Sequence, residues 1–222
     1  MIIVLDTETT GTDPTQDCVV ELAGAVIEGP LRYDTLVKPT RSIPPEASAV
    51  HHLTDADFNE AMPTLEEAWR EMETKLGNEP PVILAAHNAP FDASFIGALS
   101  GGAPWLDTCR CARHIYPDCP NFSNQTLRYY LKLEPDLPRS LAPHRALYDV
   151  IVTADLLAQL LISHSIDELL KLQEQPVLLR ICRFGKHRDV PWSEVPKDYL
   201  KWAAKQDFDE DTRYTIRYWL EH

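Results

Sequence analysis

The sequence predicts an α/β protein of about five strands flanked by helices, followed by a small C-terminal module. Short apolar runs of strand length begin at Ile2, Cys18, Leu31, Val82 and Trp105. The segments around them carry apolar residues at helical spacing, and the composition changes after a polar stretch that ends in a proline at 176. These three observations favour one sheet covered by helices, with the module as an addition.

The strands are predicted in chain order. The first begins at Ile2 and carries Asp6 and Glu8 at its end, and a turn rich in Thr, Gly, Pro and Asp comes next, at residues 9–17. Strands at 18–28 and 31–38 are joined through Gly29-Pro30, which indicates an antiparallel hairpin. Further strands are predicted at 81–86 and 105–107.

The helices are predicted from apolar spacing and from capping residues. Thr64 and Glu67 have the spacing of a capping box at the start of a helix that runs to residue 76. The helix at 143–163 is apolar on most sides, so we expect it to be buried. Other helices are predicted at 46–51, from Pro90 onward, at 108–116, at 126–133 and at 166–172.

Composition limits the classes of function. The chain has 222 residues, 44% of them hydrophobic, which is enough for a substantial core. No apolar run has the length of a membrane span and no export signal is seen, so a cytoplasmic protein without a membrane partner is expected. Five scattered cysteines indicate reduced thiols; Cys109, Cys111, His114 and Cys119 have near-zinc spacing but lack a second paired knuckle.

The formal net charge of −13 argues against a protein that holds nucleic acid by bulk electrostatics, because phosphate neutralisation needs clustered Lys and Arg. It does not exclude an enzyme that acts on nucleic acid. Acids that bind metal ions are compensated when the ions are bound, and a local groove can be basic on an acidic protein.

Asp6 and Glu8 stand at the end of the first strand and point to the same face, because strand side chains alternate. At about 4 Å and an effective dielectric of about 20, two carboxylates repel by about 4 kcal/mol. A divalent cation is the commonest reason for such a pair. Taken alone, the pair would be an ordinary solvated strand end.

Two further acids occur where structure alone does not require them. Asp92 falls in the first turn of the helix that begins at Pro90, where the helix dipole is a sufficient alternative explanation. Asp149 heads an apolar row of its helix, so it must be paired with an arginine or bound to metal. Four converging carboxylates, with Asp6 and Glu8, predict a site for two divalent ions.

These acids lie in three motifs that resemble those of the DnaQ-like 3′–5′ exonucleases of the DEDDh type. The motifs are Asp6-Thr7-Glu8, His87-Asn88-Ala89-Pro90-Phe91-Asp92 and His144-Arg145-Ala146-Leu147-Tyr148-Asp149, in the family's order over residues 1–165. The resemblance implies a ribonuclease H-like fold with a mixed five-stranded sheet. It divides the chain into an exonuclease domain at 1–170 and a basic and aromatic module at 176–222.

The resemblance also assigns roles. Asp6, Glu8, Asp92 and Asp149 would hold two Mg²⁺ or Mn²⁺ ions, and His144 would be the general base. On a continuous helix His144 and Asp149 would lie about 140° apart, so His144 is expected on the loop that enters the helix. Histidine as a residue type suits a base at neutral pH. The residues expected to contact the terminal nucleotide are Thr9, Thr10, Glu46, His51 and Asn88.

The implied activity is hydrolysis of DNA, single-stranded or duplex, from the 3′ end to nucleoside 5′-monophosphates, with RNA as a second candidate substrate. One alternative is a proofreading subunit of a DNA polymerase, and another is an oligoribonuclease. A third, from a different class, is a non-catalytic nucleic-acid-binding module on a nuclease fold.

The tail most resembles the exodeoxyribonuclease X subfamily, at residues 184–188 and 199–202. Asp189 departs from the glycine expected there. Basic residues interleaved with aromatics at 176–222 are typical of a strand-binding patch. They are equally consistent with an aromatic core for a very small module.

Overall fold

The central sheet has the strand order β3-β2-β1-β4-β5 in the computed structural model, which describes residues 1–27, 29–77 and 83–222. Pairing is antiparallel between β1 and β2 and between β2 and β3, and parallel between β1 and β4 and between β4 and β5. The strands are β1 (Ile2–Thr9), β2 (Val19–Val26), β3 (Arg32–Leu36), β4 (Ile83–Ala86) and β5 (Trp105–Asp107). The predicted five-stranded α/β architecture and its antiparallel hairpin are confirmed.

Strand ends differ from the predicted ones by a few residues. β3 ends at Leu36 instead of residue 38, because the Lys38 amide donates to the Pro63 carbonyl and the chain leaves the sheet. The predicted ends at Glu28 and at residues 81–82 lie outside the described residues.

Helices cover both faces of the sheet. They are α1 (Pro45–His51), α2 (Leu65–Leu76), α3 (Ala89–Ile96), α4 (Thr108–Ile115), α5 (Asn124–Tyr130), α6 (Ala146–Leu161), α7 (Ile166–Gln173), α8 (Lys197–Ala203) and α9 (Glu210–Glu221). In the described part of the chain no single helix is long and apolar enough to cross a membrane; α6 and α7 meet that test only as a pair bent by 104°.

Capping chemistry explains where helices begin and end. The Thr64 and Glu67 side chains form the predicted capping box of α2. The prediction for α5, at 126–133, is wrong by two to three residues at each end. Ser123 caps α5 by accepting a hydrogen bond from the Thr126 amide, and Lys132 takes a left-handed conformation (φ 55°) just past its end.

Alternation along β1 divides the core into two layers. Ile3 and Leu5 pack with α2 and α3, whereas Val4 packs with the helices on the opposite face, α6 among them. The α6 helix is buried on most sides, as predicted. Because side chains two residues apart share a face, Asp6 and Glu8 follow Val4 toward α6, and Thr7 points to the other layer.

Residues 182–220 form a hydrophobic cluster of their own around Trp192 and Tyr199, which are 1% and 9% exposed. Most aromatic side chains of the module are therefore core. Trp202 is the large exception, at 49% exposure. Asp189, where a glycine was expected, has φ 66°, which is the left-handed region that glycine adopts without strain.

Candidate active site

Three of the four predicted acids meet at the end of β1. Asp6, Glu8 and Asp149 each offer a carboxylate oxygen, and these oxygens lie within 4.8 Å of one another. Strand alternation brings the first two together, and α6 packs across β1 with Asp149 in its first turn. Hard oxygen donors at this separation fit Mg²⁺ or Mn²⁺.

Asp92 reaches the same edge of the sheet from the opposite layer. It is buried at 2% exposure in the first turn of α3, and one of its carboxylate oxygens accepts from the Thr7 amide at 3.0 Å and from the Thr7 hydroxyl at 2.8 Å. Asp92 is not a member of the three-acid cluster, but its charge acts on Asp6. Thr7 therefore links Asp92 to the strand that carries Asp6 and Glu8.

Burial is the largest cause that raises the pKa of each of the four predicted acids. Burial raises the pKa of Asp6 well above its ordinary value, and the charges of Asp92 and Asp149 add to this effect. Burial, then Asp149, raises the pKa of Glu8 to about 8. Burial raises the pKa of Asp92 to about 7 against the hydrogen bonds from Thr7, which lower it. Bound cations would relieve this repulsion.

His144 lies on the loop that enters α6, as predicted. Its backbone is left-handed (φ 63°), and its amide donates to one Asp149 carboxylate oxygen at 2.9 Å. The residue is exposed to solvent. Asn124 of α5 approaches the other Asp149 oxygen at 3.4 Å, and burial raises the pKa of Asp149 despite these donors.

Glu21 is a site residue that the sequence reasoning missed. It lies on β2 opposite Glu8 and is 3% exposed. The Arg145 guanidinium donates to both its oxygens, at 3.0 and 2.5 Å, and the Ala146 amide donates to it at 3.0 Å. The arginine pair considered for Asp149 thus belongs to Glu21, and it ties the start of α6 to the sheet. A charged residue inside an apolar strand was the available signal.

His87 and Asn88 organise the loop before α3. The His87 Nε2 lies 2.7 Å from the Phe122 carbonyl and its Nδ1 lies 2.9 Å from the Thr108 hydroxyl, while burial lowers the pKa of the ring. The backbone of Asn88 is left-handed (φ 74°), and its backbone N–H donates to the Asp107 carboxylate at 3.0 Å. His87, the first residue of the second motif, therefore has a structural role in this loop.

Among the predicted substrate contacts, Thr9 and Thr10 use their hydroxyls internally. Thr9 donates to the Gly11 carbonyl at 2.6 Å, and Thr10 donates to Asp17 at 3.1 Å. Glu46 is exposed on α1, and buried His51 accepts from the Leu53 amide at 3.0 Å. Contact of these residues and of Asn88 with a nucleotide stays a prediction.

The zinc-like spacing does not produce a ligand cluster in the described residues. The Cys109 thiol contacts the Phe122 carbonyl, Cys111 contacts the Leu169 carbonyl and Cys119 contacts the Asn121 carbonyl. The three thiols have separate backbone partners, so they act as ordinary reduced cysteines of the core.

Comparisons with known proteins identify the family and agree with the fold. Residues 3–157 match the exonuclease family model RNase_T, and the chain belongs to this family of DnaQ-like exonucleases. Exodeoxyribonuclease 10 of Escherichia coli (strain K12) is 32% identical over the whole length of both chains. A DNA polymerase III subunit epsilon-like protein of Rhodobacter capsulatus is 34% identical, with 72% of this chain matched to 23% of that protein.

Solved structures show the same architecture. Exonuclease X in complex with 5′ overhanging duplex DNA is similar with a TM-score of 0.62 and 27% identity, over 78% of this chain and 99% of that one. Escherichia coli exonuclease I in complex with a dT13 oligonucleotide has a TM-score of 0.56 at 16% identity, over 72% of this chain and 40% of that one. The fold is ribonuclease H-like, as expected.

Proposed function

We propose that this protein is a metal-dependent 3′–5′ exodeoxyribonuclease that releases nucleoside 5′-monophosphates. The observation that carries the proposal is the meeting of Asp6, Glu8 and Asp149 within 4.8 Å, in a chain of the exonuclease family. The full-length similarity to exodeoxyribonuclease 10 supports DNA as the substrate. The DNA present in the exonuclease X structure supports it further.

Asp6, Glu8, Asp92 and Asp149 would hold two divalent ions, Mg²⁺ or Mn²⁺. Their donors are all carboxylate oxygens, and their raised pKa values indicate a negative charge that lacks compensation inside the protein. Two ions bound by such a set stabilise the attacking and leaving oxygens of phosphoryl transfer. Thr7 orients the Asp92 carboxylate through its two hydrogen bonds.

His144 is the proposed general base. Its backbone N–H donates to Asp149, which fixes the loop next to the acids, and the residue is exposed to solvent. In this role it takes a proton from the water that attacks the terminal phosphorus. The bond from that phosphorus to the 3′ oxygen of the preceding nucleotide breaks, that oxygen takes up a proton from solvent and becomes the 3′-hydroxyl of the shortened strand, and a nucleoside 5′-monophosphate is released.

The test is a time course with one oligonucleotide carrying a label at the 5′ end or at the 3′ end, with Mg²⁺ or Mn²⁺. The expected result is immediate release of the 3′ label as a mononucleotide and stepwise shortening of the 5′-labelled strand. Loss of a 5′ mononucleotide first would contradict the polarity. No cleavage by a folded sample with either metal would contradict the enzyme.

Proofreading within a polymerase is the second candidate. It is favoured by DNA polymerase III PolC-type of Bacillus cereus, which is 30% identical over 72% of this chain but matched over only 11% of its own length. The two candidates differ in what the isolated chain does. A free exonuclease degrades paired and mismatched 3′ ends alone, whereas a proofreading subunit requires a polymerase for full activity.

A further inference from the structure

A groove separates helix α4 and the loop after it from the first segment of the C-terminal module. We call it the arginine groove and define it by residues 113–122 and 177–183. Its volume is about 580 Å³, and a second hollow of about 390 Å³ continues it toward Trp219. The charged residues of the groove are Arg113, Asp118, Arg180 and Arg183, and its apolar residues include Phe122 and Leu179.

The charge of this groove is opposite to that of the whole chain. Three arginines and one acid, Asp118, line the groove, and a second acid, Asp189, pairs with Arg183 beside it, in a protein with a formal net charge of −13. Arg180 pairs with Asp118 at 2.5 Å, and these side chains are 55% and 74% exposed. Arg183 pairs with Asp189 at 2.9 Å, and both of these side chains are 65% exposed. Exposed pairs of this kind contribute little stability, so a phosphate can replace the acid as partner.

The groove also offers flat apolar surface between its charges. The Arg113 guanidinium lies over the Phe122 ring, 5.7 Å from its centroid, and Leu179 and Trp219 line the same depression. Cations next to aromatic rings match single-stranded nucleic acid, in which phosphates alternate with bases that can stack. The bases of duplex DNA are stacked inside the helix, so they are less able to stack on such rings.

The groove begins close to the acids. The Phe122 carbonyl lies 2.7 Å from the His87 Nε2, which fixes this wall next to the loop before α3. Asn124, two residues further, approaches Asp149 at 3.4 Å. Two residues of extended chain span about 7 Å. A strand whose end lies at the acids therefore reaches the groove after a short distance.

We propose that the arginine groove binds single-stranded DNA a few nucleotides away from the terminal nucleotide under attack. This inference rests on the proposed function, because that function places the 3′ end at the acids. It assigns the C-terminal module a role in holding substrate, and it does so without the buried aromatic side chains of the module.

The experiment compares two double variants that each remove two positive charges from the module. R180A/R183A removes them from the groove, and R213A/R217A removes exposed arginines of α9 that do not line it. Degradation is measured on a single strand of about 15 nucleotides and on a trinucleotide, which keeps only one phosphate beyond the bond under attack and so offers the two groove arginines little to bind. Binding of the long strand is measured separately by fluorescence anisotropy in EDTA.

For R180A/R183A we expect about a tenfold higher KM on the long strand with unchanged kcat, and wild-type behaviour on the trinucleotide. The slope of log K against log salt should fall by about 1.4, or about 0.7 for each phosphate that the variant no longer neutralises. R213A/R217A should stay within about twofold of wild type. Circular dichroism establishes that both variants are folded.

Three results would overturn the groove proposal: equal weakening by both double variants, an equal loss on the trinucleotide, or a wild-type dimer that R180A/R183A converts to a monomer. The anisotropy measurement separates the groove proposal from the proposed nuclease activity, because binding in EDTA requires no cleavage. A wild type that binds the long strand through the groove but cuts no substrate would refute the nuclease activity alone.

Discussion

Replacing Glu8 by Gln should stabilise the metal-free protein at pH 7.5, although it removes a predicted metal ligand. The carboxylate oxygens of Glu8, Asp6 and Asp149 lie within 4.8 Å of one another. At that distance and an effective dielectric of about 20, each charged pair repels by about 3.5 kcal/mol. A charged Glu8 would meet this repulsion, and a protonated Glu8 keeps a proton that the unfolded chain releases at pH 7.5. The neutral amide has nearly the same shape and avoids both costs.

The raised pKa of Glu8 gives the sign and the pH window. Its value of about 8, against an ordinary 4.5, means that the folded state binds the proton more tightly than the unfolded chain does. Below about pH 4.5 Glu8 is protonated in both the folded and the unfolded state, so it does not lower the free energy of unfolding. Between 4.5 and 8 the unfolded chain loses its proton first, so stability falls as the pH rises. Three pH units correspond to about 4 kcal/mol, which relaxation would reduce to about 2–4 kcal/mol.

Thermal unfolding in EDTA measures this effect. For a chain of 222 residues, 2–4 kcal/mol corresponds to a rise in Tm of about 5–10 °C at pH 7.5. At pH 5 the gain should be less than about 1 kcal/mol. Glu134→Gln, an exposed loop position, is the matched control and should not change Tm at either pH. A Glu8→Gln protein that is no more stable than wild type at pH 7.5, or equally stabilised at pH 5, would refute the reasoning.

Three further substitutions test other parts of the site. Asp149→Asn should lower kcat at least about 100-fold with the fold intact, because a metal ligand is lost; unchanged cleavage would remove Asp149 from the metal site. Arg145→Met should reduce the free energy of unfolding by about 3 kcal/mol in urea titration, because it leaves Glu21 buried without its cation; a loss below about 1 kcal/mol would contradict this. Thr7→Val should weaken Mn²⁺ binding about tenfold by calorimetry, since the Asp92 carboxylate loses a donor; unchanged affinity would remove Thr7 from the metal site.

The sequence predicted the part of the site that depends on local periodicity. Alternation along β1 placed Asp6 and Glu8 on one face, and the apolar row of α6 marked Asp149 as a carboxylate that needs a partner. Pro143 correctly indicated that His144 precedes the helix. Each inference needs only the geometry of one element, which the sequence contains.

Features that depend on pairing between distant elements were not predictable in the same way. Glu21 lies opposite Glu8 only because of the register between β1 and β2, and its partner Arg145 is 124 residues away in the chain. The residue pattern of the module likewise supported a core role and a surface role for its aromatics equally. Burial decides between them, since Trp192 is enclosed and Trp202 is exposed.

The topology explains why acids from both layers meet at one edge. β1 and β4 are parallel, so the loop from β4 to α3 emerges where β1 delivers Asp6. Asp92 and Asp149 both occupy the first turns of their helices, where the helix dipole favours a negative charge by about 0.3–1 kcal/mol each. That gain is smaller than the repulsion of about 3.5 kcal/mol for each pair of acids. The Arg145 guanidinium lowers the pKa of Glu8 but is paired with Glu21. The fold therefore concentrates negative charge that its helix ends only partly offset, and bound divalent cations are the partners suited to balance the rest.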